Sequence, residues 1–312
     1  MVDKLLNKVR KQGLLNVFMI VNPLAYLVAV LLIKKFKFDS SNILLVSSRG
    51  PDLSLLNHPS LKLSPKRRHH IIQKVFFSSY LGIEVLKKVK KRNFILYTPF
   101  SNRDSNWLIK SKKCVGHFYI EEGQGSYLQS KLFNYNDLSF FNKISNNFKN
   151  KENFGDAYGN FYRSDSSGFI AIHPDSFPSI YNNEKYILDD LNFIKKIYTP
   201  KTTGIKNFAL GCAERRLING DWRKMIDTLI NLLPSNSIIK LHPSFYTSME
   251  KVKTIKEYIE EKSYSRITLC SEDVILELEM LYEKKISYGP QTTLSKYAKY
   301  LGSSFYDIKL FD

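Results

Sequence analysis

Val17-Phe-Met-Ile-Val21-Asn22-Pro23-Leu-Ala-Tyr-Leu-Val-Ala-Val-Leu-Leu-Ile33 decides how the rest of the chain is read. Counted from Leu14, the window holds 17 apolar residues in 20, which is long enough to pass for a membrane span. The break at Asn22-Pro23 points elsewhere. Val17–Val21 is a short β-type run, and Pro23 suits the first position of a helix, where its missing N–H leaves no bond unmade. Strand, tight turn and buried helix are therefore expected here, not a span. Met1–Gly13 is charged, with Val2, Leu5, Leu6 and Val9 on one helical face and no small-residue cleavage site. It is expected to pack on the body or to lie on a membrane surface, and not to act as a signal peptide.

Working outward, the same strand-then-helix alternation continues. Strands are expected at Ile43–Ser47, Phe94–Tyr97 and Val115–Ile120, with a helical stretch around 68–92. Beyond about residue 130 the period degrades. It returns with strands Phe208–Leu210, Ile238–Leu241, Ile267–Cys270 and Lys285–Tyr288. Helices Asp221–Leu233, Met249–Lys262 and Glu272–Tyr282 separate these strands, and another helix opens at Thr292. Alternation of this kind implies parallel sheets covered on both faces. With 312 residues the chain suffices for two such domains, expected at 1–195 and 196–312, with a linker near 185–203.

The composition excludes some classes. At 43% hydrophobic and 13% aromatic it is globular, not disordered. Cys114, Cys212 and Cys270 are too few and too scattered for a disulfide framework or zinc knuckle, which fits a reducing cytoplasm. Neither Gly-x-Gly-x-x-Gly nor a Walker lysine motif occurs, so dinucleotide and P-loop readings lose their main support. The net charge of +18 calls for a polyanionic or membrane-surface partner. Its densest runs are Lys66-Arg67-Arg68-His69-His70 and Lys87-Lys88-Val-Lys90-Lys91-Arg92. No nucleic-acid-binding motif accompanies them, so nucleic acid is not the expected partner.

Three short motifs carry chemistry. Phe118-Tyr-Ile-Glu121-Glu122-Gly123 ends an apolar strand in two adjacent acids, and strand ends are where α/β proteins display catalytic groups. Two neighbouring carboxylates repel, and partial burial raises one toward the pKa a general base needs. The structural alternative is an acidic turn. Ile238-Ile-Lys240-Leu241-His242-Pro243-Ser244 ends a strand in a histidine whose backbone the following proline keeps extended. Such a histidine, with Lys240 nearby, can donate to a phosphate or protonate a leaving group; a plain His-Pro turn is the alternative. Tyr288-Gly289-Pro290-Gln291-Thr292-Thr293 places two hydroxyls at a helix start, either as a cap or as an anion site.

In order and spacing these motifs resemble bacterial sialyltransferases of GT-B architecture, the lipooligosaccharide sialyltransferases and capsular polysialyltransferases. Asn22-Pro23 with its apolar helix resembles the family's opening element, and His173-Pro-Asp-Ser-Phe-Pro178 its interdomain segment, which makes His173 structural. The resemblance implies two Rossmann-like domains facing each other across a deep cleft. It implies an inverting, metal-independent transfer of sialic acid from CMP-sialic acid to a glycan hydroxyl, without a bound cofactor. An acid of the Glu121-Glu122 pair is then the base, with Glu121 in the family's usual place. His242 serves the departing phosphate. Thr292 and Thr293 match the phosphate-holding hydroxyls, although serine is more usual there. Glu277 matches the ribose ligand, with Glu279 as the alternative, and Gly123, Lys240, Pro243 and Ser244 complete the donor side. Acceptor-side candidates are Asn22, Ser48, Arg49, Asn102 and Arg103, which follow first-domain strands. Another ulosonic acid from its CMP donor, such as Kdo, would use the same motifs. The basic runs would then meet an anionic glycan or the cytoplasmic membrane leaflet.

Overall fold

A computed structural model of the protein describes residues 2, 4, 6, 7, 12–47, 60–62, 80–128, 132–134, 162–217 and 221–308. Ser48, Arg49 and the basic run at 66–70 lie outside the described residues. The chain divides into two compact units, Met1–Leu191 and Asn192–Asp312.

In the first unit, β1 (Leu15–Ile20) feeds α1 (Pro23–Phe36), followed by β2 (Ile43–Ser47) and β3 (Ser60–Lys62). Then come α2 (Tyr80–Val89), β4 (Phe94–Thr98), α3 (Arg103–Ile109) and β5 (Cys114–Ile120), the short β6 (Leu132–Phe133) and β7 (Tyr162–Arg163), and β8 (Phe169–Ala171) and β9 (Lys185–Ile187). Seven strands form one parallel sheet in the order β3-β2-β1-β4-β5-β8-β9, while β6 pairs with β7 apart from it.

The sequence around residue 22 produces the expected turn. The Asn22 side chain accepts from the Ala25 amide at 2.9 Å and caps α1, and Pro23 takes the first helical position. Residues 24–33 of α1 are all buried, as a helix apolar on every side must be. It has 14 residues, and among the described residues no helix is long and apolar enough to cross a membrane. The strands present a ladder of rings, Phe18 against Tyr97 at 4.3 Å and Tyr97 against Phe118 at 5.5 Å. The Tyr97 hydroxyl donates to Asn16 Oδ1 at 3.0 Å, which satisfies a buried polar group inside that ladder.

In the second unit, α4 (Asn192–Ile197) precedes β10 (Asn207–Leu210), α5 (Trp222–Leu232), β11 (Ser237–Lys240), α6 (Met249–Lys262) and β12 (Ile267–Leu269). α7 (Leu276–Tyr282), β13 (Ile286–Gly289), α8 (Thr293–Tyr300) and β14 (Ser304–Asp307) complete it. Its sheet is parallel throughout, in the order β12-β11-β10-β13-β14. The two-domain parallel α/β class expected from the sequence is what the chain adopts.

α7 starts four residues later than the pattern suggests. Before it, Lys201 pairs with Asp273 and Lys240 Nζ donates to the carbonyls of Ser271 and Glu272 at 3.3 and 3.4 Å, so 271–273 is used as a tied loop.

Both sheets have a topological switch point, between β1 and β4 in the first unit and between β10 and β13 in the second. Outside the carboxyl ends of such strands the flanking connections diverge and leave a crevice, which is where ligands of open α/β sheets bind. At the second switch point the strands approach closely. A Cβ on Gly289 would sit 2.7 Å from Leu210 Cβ and 3.2 Å from the Leu210 carbonyl, so only glycine fits.

Candidate active site

At the first switch point, Asn22 follows β1, Asn102 follows β4 and the Glu121-Glu122 pair follows β5. The two acids go different ways. Glu121 is fully buried. Its Oε2 accepts from the backbone amides of Ile172 and His173 at 2.8 and 3.1 Å, and its Oε1 accepts from the Tyr127 hydroxyl. The carboxylate therefore pins the chain just past β8 and the single turn Gln124–Tyr127 that follows Gly123.

Glu122 is half-buried. Its Oε2 accepts from Asn22 Nδ2 at 3.1 Å, the same Asn22 amide donates to its carbonyl oxygen, and its own N–H donates to Ser126 Oγ at 3.2 Å. Asn22 thus has two functions: its oxygen caps α1 while its nitrogen holds Glu122. Gly123 is buried, and its carbonyl accepts from the Ser126 amide at 2.8 Å.

His173 lies inside the first unit, between β8 and β9, so its segment does not join the two units as the resemblance implies. It is buried, with Nδ1 accepting from the Asp175 amide at 3.1 Å and its ring edge-on to Tyr127, a structural part as expected. Asn102 caps α3: its Oδ1 accepts from Ser105 N, and Ser105 Oγ accepts from Asn102 N, both at 2.8 Å. Arg103 opens that helix.

In the second unit, His242 follows β11, beside β10. Its exposed ring caps the turn Pro243–Thr247, with Nδ1 accepting from the Ser244 amide at 3.1 Å and Ser244 Oγ 3.0 Å away. Ser244 Oγ in turn accepts from the Glu214 amide at 3.1 Å. With Nδ1 used as an acceptor, the neutral ring carries its proton on Nε2. Thr292 caps α8 across the switch point, accepting from the Leu294 amide at 3.3 Å, and Thr293 is the first helical residue. The first turn of α8 thus presents hydroxyls and N–H groups at the positive end of a helix.

Glu277 and Glu279 sit in the first turn of α7 and part in the same way as the first pair. Glu279 is fully buried and accepts from the Tyr198 hydroxyl, from the amides of Lys201 and Thr202 at 2.9 and 3.0 Å, and from Thr202 Oγ1 at 2.5 Å. It holds the chain entering the unit and cannot also hold a ribose. Glu277 is half-buried and remains the candidate. Lys240 ties β11 to the loop before α7. Among the described residues, no group of three His, Cys, Asp or Glu side chains is arranged to hold a metal ion.

The roles of Tyr127, Ser126 and the 172–173 amides had no sequence signal beyond the glycine-flanked acid pair. They depend on β8 lying beside β5.

The sequence matches no protein-family profile and no curated protein. Among solved structures, Anabaena Alr3699/HepE in complex with UDP-glucose aligns at 10% identity over 93% of this chain and 79% of that one, with a TM-score of 0.43. A glycosyltransferase from Rickettsia africae ESF-5 aligns at 10% identity over 88% of this chain and 72% of that one, with a TM-score of 0.36.

Proposed function

We propose that the chain is a glycosyltransferase that moves a sialic acid from CMP-sialic acid to a hydroxyl of a surface glycan, with inversion and without a metal. The observation that carries this reading is the state of the acid pair and of the histidine. A half-buried carboxylate, Glu122, is aimed by Asn22 at one switch point, and an exposed imidazole with its proton on Nε2 stands at the other.

The base assignment shifts with the geometry. Glu121, the position implied by the resemblance, has both oxygens engaged by three donors and no exposed surface. Glu122 is the acid an acceptor can reach. In the reaction Glu122 takes the acceptor's hydroxyl proton as that oxygen bonds to the anomeric carbon. The bond from that carbon to the phosphate oxygen breaks, and CMP departs with the electron pair. Charge then grows on the phosphate, where His242 Nε2–H, the Thr292 and Thr293 hydroxyls and the start of α8 stabilise it without a metal. Glu277 serves the donor ribose. The acceptor on this reading is a capsule or lipooligosaccharide glycan, and the basic segments favour an anionic surface as the place where the enzyme meets it.

Release of CMP from CMP-Neu5Ac and from CMP-Kdo, with and without EDTA and on a panel of galactosides and sialosides, tests the reading. We expect EDTA-insensitive turnover of CMP-Neu5Ac with one acceptor class. Turnover of CMP-Kdo alone would transfer the assignment to another ulosonic acid, and no release from either donor would end it.

A further inference from the structure

The carboxyl ends of the first sheet hold the candidate site, and the amino ends hold most of the described basic charge of that unit. Residues 34–42, 84–93 and 110–113 close α1, α2 and α3 and lead into β2, β4 and β5. They contain eleven Lys and Arg against two acids, Asp39 and Glu84, and every one of the cations except the half-buried Lys113 is exposed.

The three segments form one surface. Arg92 donates to the Ser41 carbonyl at 3.0 Å and to Asn42, the Lys113 ammonium donates to the Lys90 carbonyl, and the Phe94 amide donates to the Lys113 carbonyl at 2.8 Å.

Cations in the last turn of a helix are ordinary partners of its dipole, and Lys34, Lys35, Lys87 and Lys88 fit that description. Lys37, Lys90, Lys91, Arg92 and Lys112 lie beyond the helices. Two of them stand where charge has a backbone cost. Lys37 and Lys90 close α1 and α2 in the left-handed conformation, at φ 49° and 55°, where glycine is the favoured residue. Stability alone would select glycine at both.

The aromatics in these segments, Phe36 and Phe38, are both buried, so the surface has no stacking platform of the sort that grips single-stranded nucleic acid. It is a set of adjacent loop tips dense in positive charge, which suits a planar anionic face.

We propose that the amino edge of the first sheet is a docking surface for an anionic phospholipid bilayer. Because strands run from this edge to the candidate site, docking directs Glu122 away from the lipid. The seven residues of β5 span about 23 Å. On the glycosyltransferase reading, on which this consequence alone rests, the acceptor hydroxyl belongs to a chain long enough to reach back over that distance.

Co-sedimentation of the full chain with vesicles of phosphatidylcholine, or of phosphatidylcholine with 30 mol% phosphatidylglycerol, tests the docking surface without any turnover. We expect binding to the anionic vesicles only, lost in 0.5 M salt. One cation near an anionic surface is worth about a fivefold change in affinity, so Lys87→Glu, Lys88→Glu, Lys91→Glu and Lys112→Glu together should weaken binding by more than about a hundredfold. The double variant Lys37→Gly, Lys90→Gly should weaken it about 25-fold while its melting temperature holds or rises, a result that misfolding cannot produce. Equal binding to both vesicle types, unchanged binding by both variants, or retention on a soluble polyanion with none on vesicles would overturn the proposal. CMP release by the charge variants with a soluble acceptor should stay at the parent's rate, so loss of docking and loss of the transferase reading are separately visible.

Discussion

Asn22 Nδ2 donates to Glu122 Oε2 at 3.1 Å, joining the loop after β1 to the loop after β5 across a hundred positions of sequence. The bond spans the switch point of the first sheet. Asn22 itself is fixed, because its Oδ1 is the cap of a buried 14-residue helix. The carboxylate is therefore oriented by a helix whose residues 24–33 are all buried, which is the preorganisation that the proposed role as base needs.

Loss of the base and loss of its orientation should look different. Glu122→Gln should lower kcat about 10²- to 10⁴-fold with the fold intact. Asn22→Asp keeps a good helix cap but sets a carboxylate against Glu122. Like charges raise the pKa of such a pair, and the base must be ionised, so the acid limb of the kcat/KM profile should move to higher pH. Glu121→Gln can still accept from Ile172 and His173 and should retain substantial transfer. Glu121→Ala leaves both buried amides unpaired, at about 1–3 kcal/mol each, and should lower the melting temperature. An inactive Glu121→Gln beside a nearly normal Glu122→Gln would return the base to Glu121.

The turn at Asn22-Pro23 was legible because proline and an N-cap residue are local signals. The second-unit series was legible because its helices and strands are long enough to show their period. β8 and β9 were not, since three residues cannot display an alternation. α3 was hidden by the polar start Arg103-Asp-Ser-Asn106, although the Asn102 and Ser105 capping pair marks it. The candidate residues were found as motifs, but their division of labour was not in the motifs. Glu121 becomes an anchor only because residues 51 and 52 positions away bring two amides to it. Glu279 becomes one through Lys201 and Thr202, 78 and 77 positions away.

His242 and Ser244 should separate in steady-state kinetics. If His242 Nε2–H acts on the departing phosphate, His242→Ala removes an interaction that strengthens in the transition state. The value of kcat should then fall about a hundredfold with little change in acceptor KM. Ser244→Ala leaves the backbone N–H that sets the tautomer and should lower kcat by no more than about tenfold. A rise in acceptor KM with kcat unchanged in His242→Ala would mean the ring binds acceptor and does not assist departure.

The pH dependence of folding should centre on a residue outside the site. His117, on β5, is buried edge-on to Tyr119, and its Nε2 has no hydrogen-bond partner. Burial pushes its pKa down from 6.5 to about 4; Asp165, 4.0 Å from Nε2, opposes the shift and Arg163 adds to it. Below pH 6.5 the unfolded chain takes up a proton here that the folded chain refuses until about pH 4. Stability from this residue is thus fully present above pH 6.5 and is lost as pH falls through that window, by about 3 kcal/mol at the acid end. Melting temperatures recorded from pH 8 to pH 4 should decline most steeply between pH 6.5 and 4. The decline should flatten in His117→Gln, which cannot take up a proton in either state. If the two profiles run parallel, the acid sensitivity resides elsewhere in the chain.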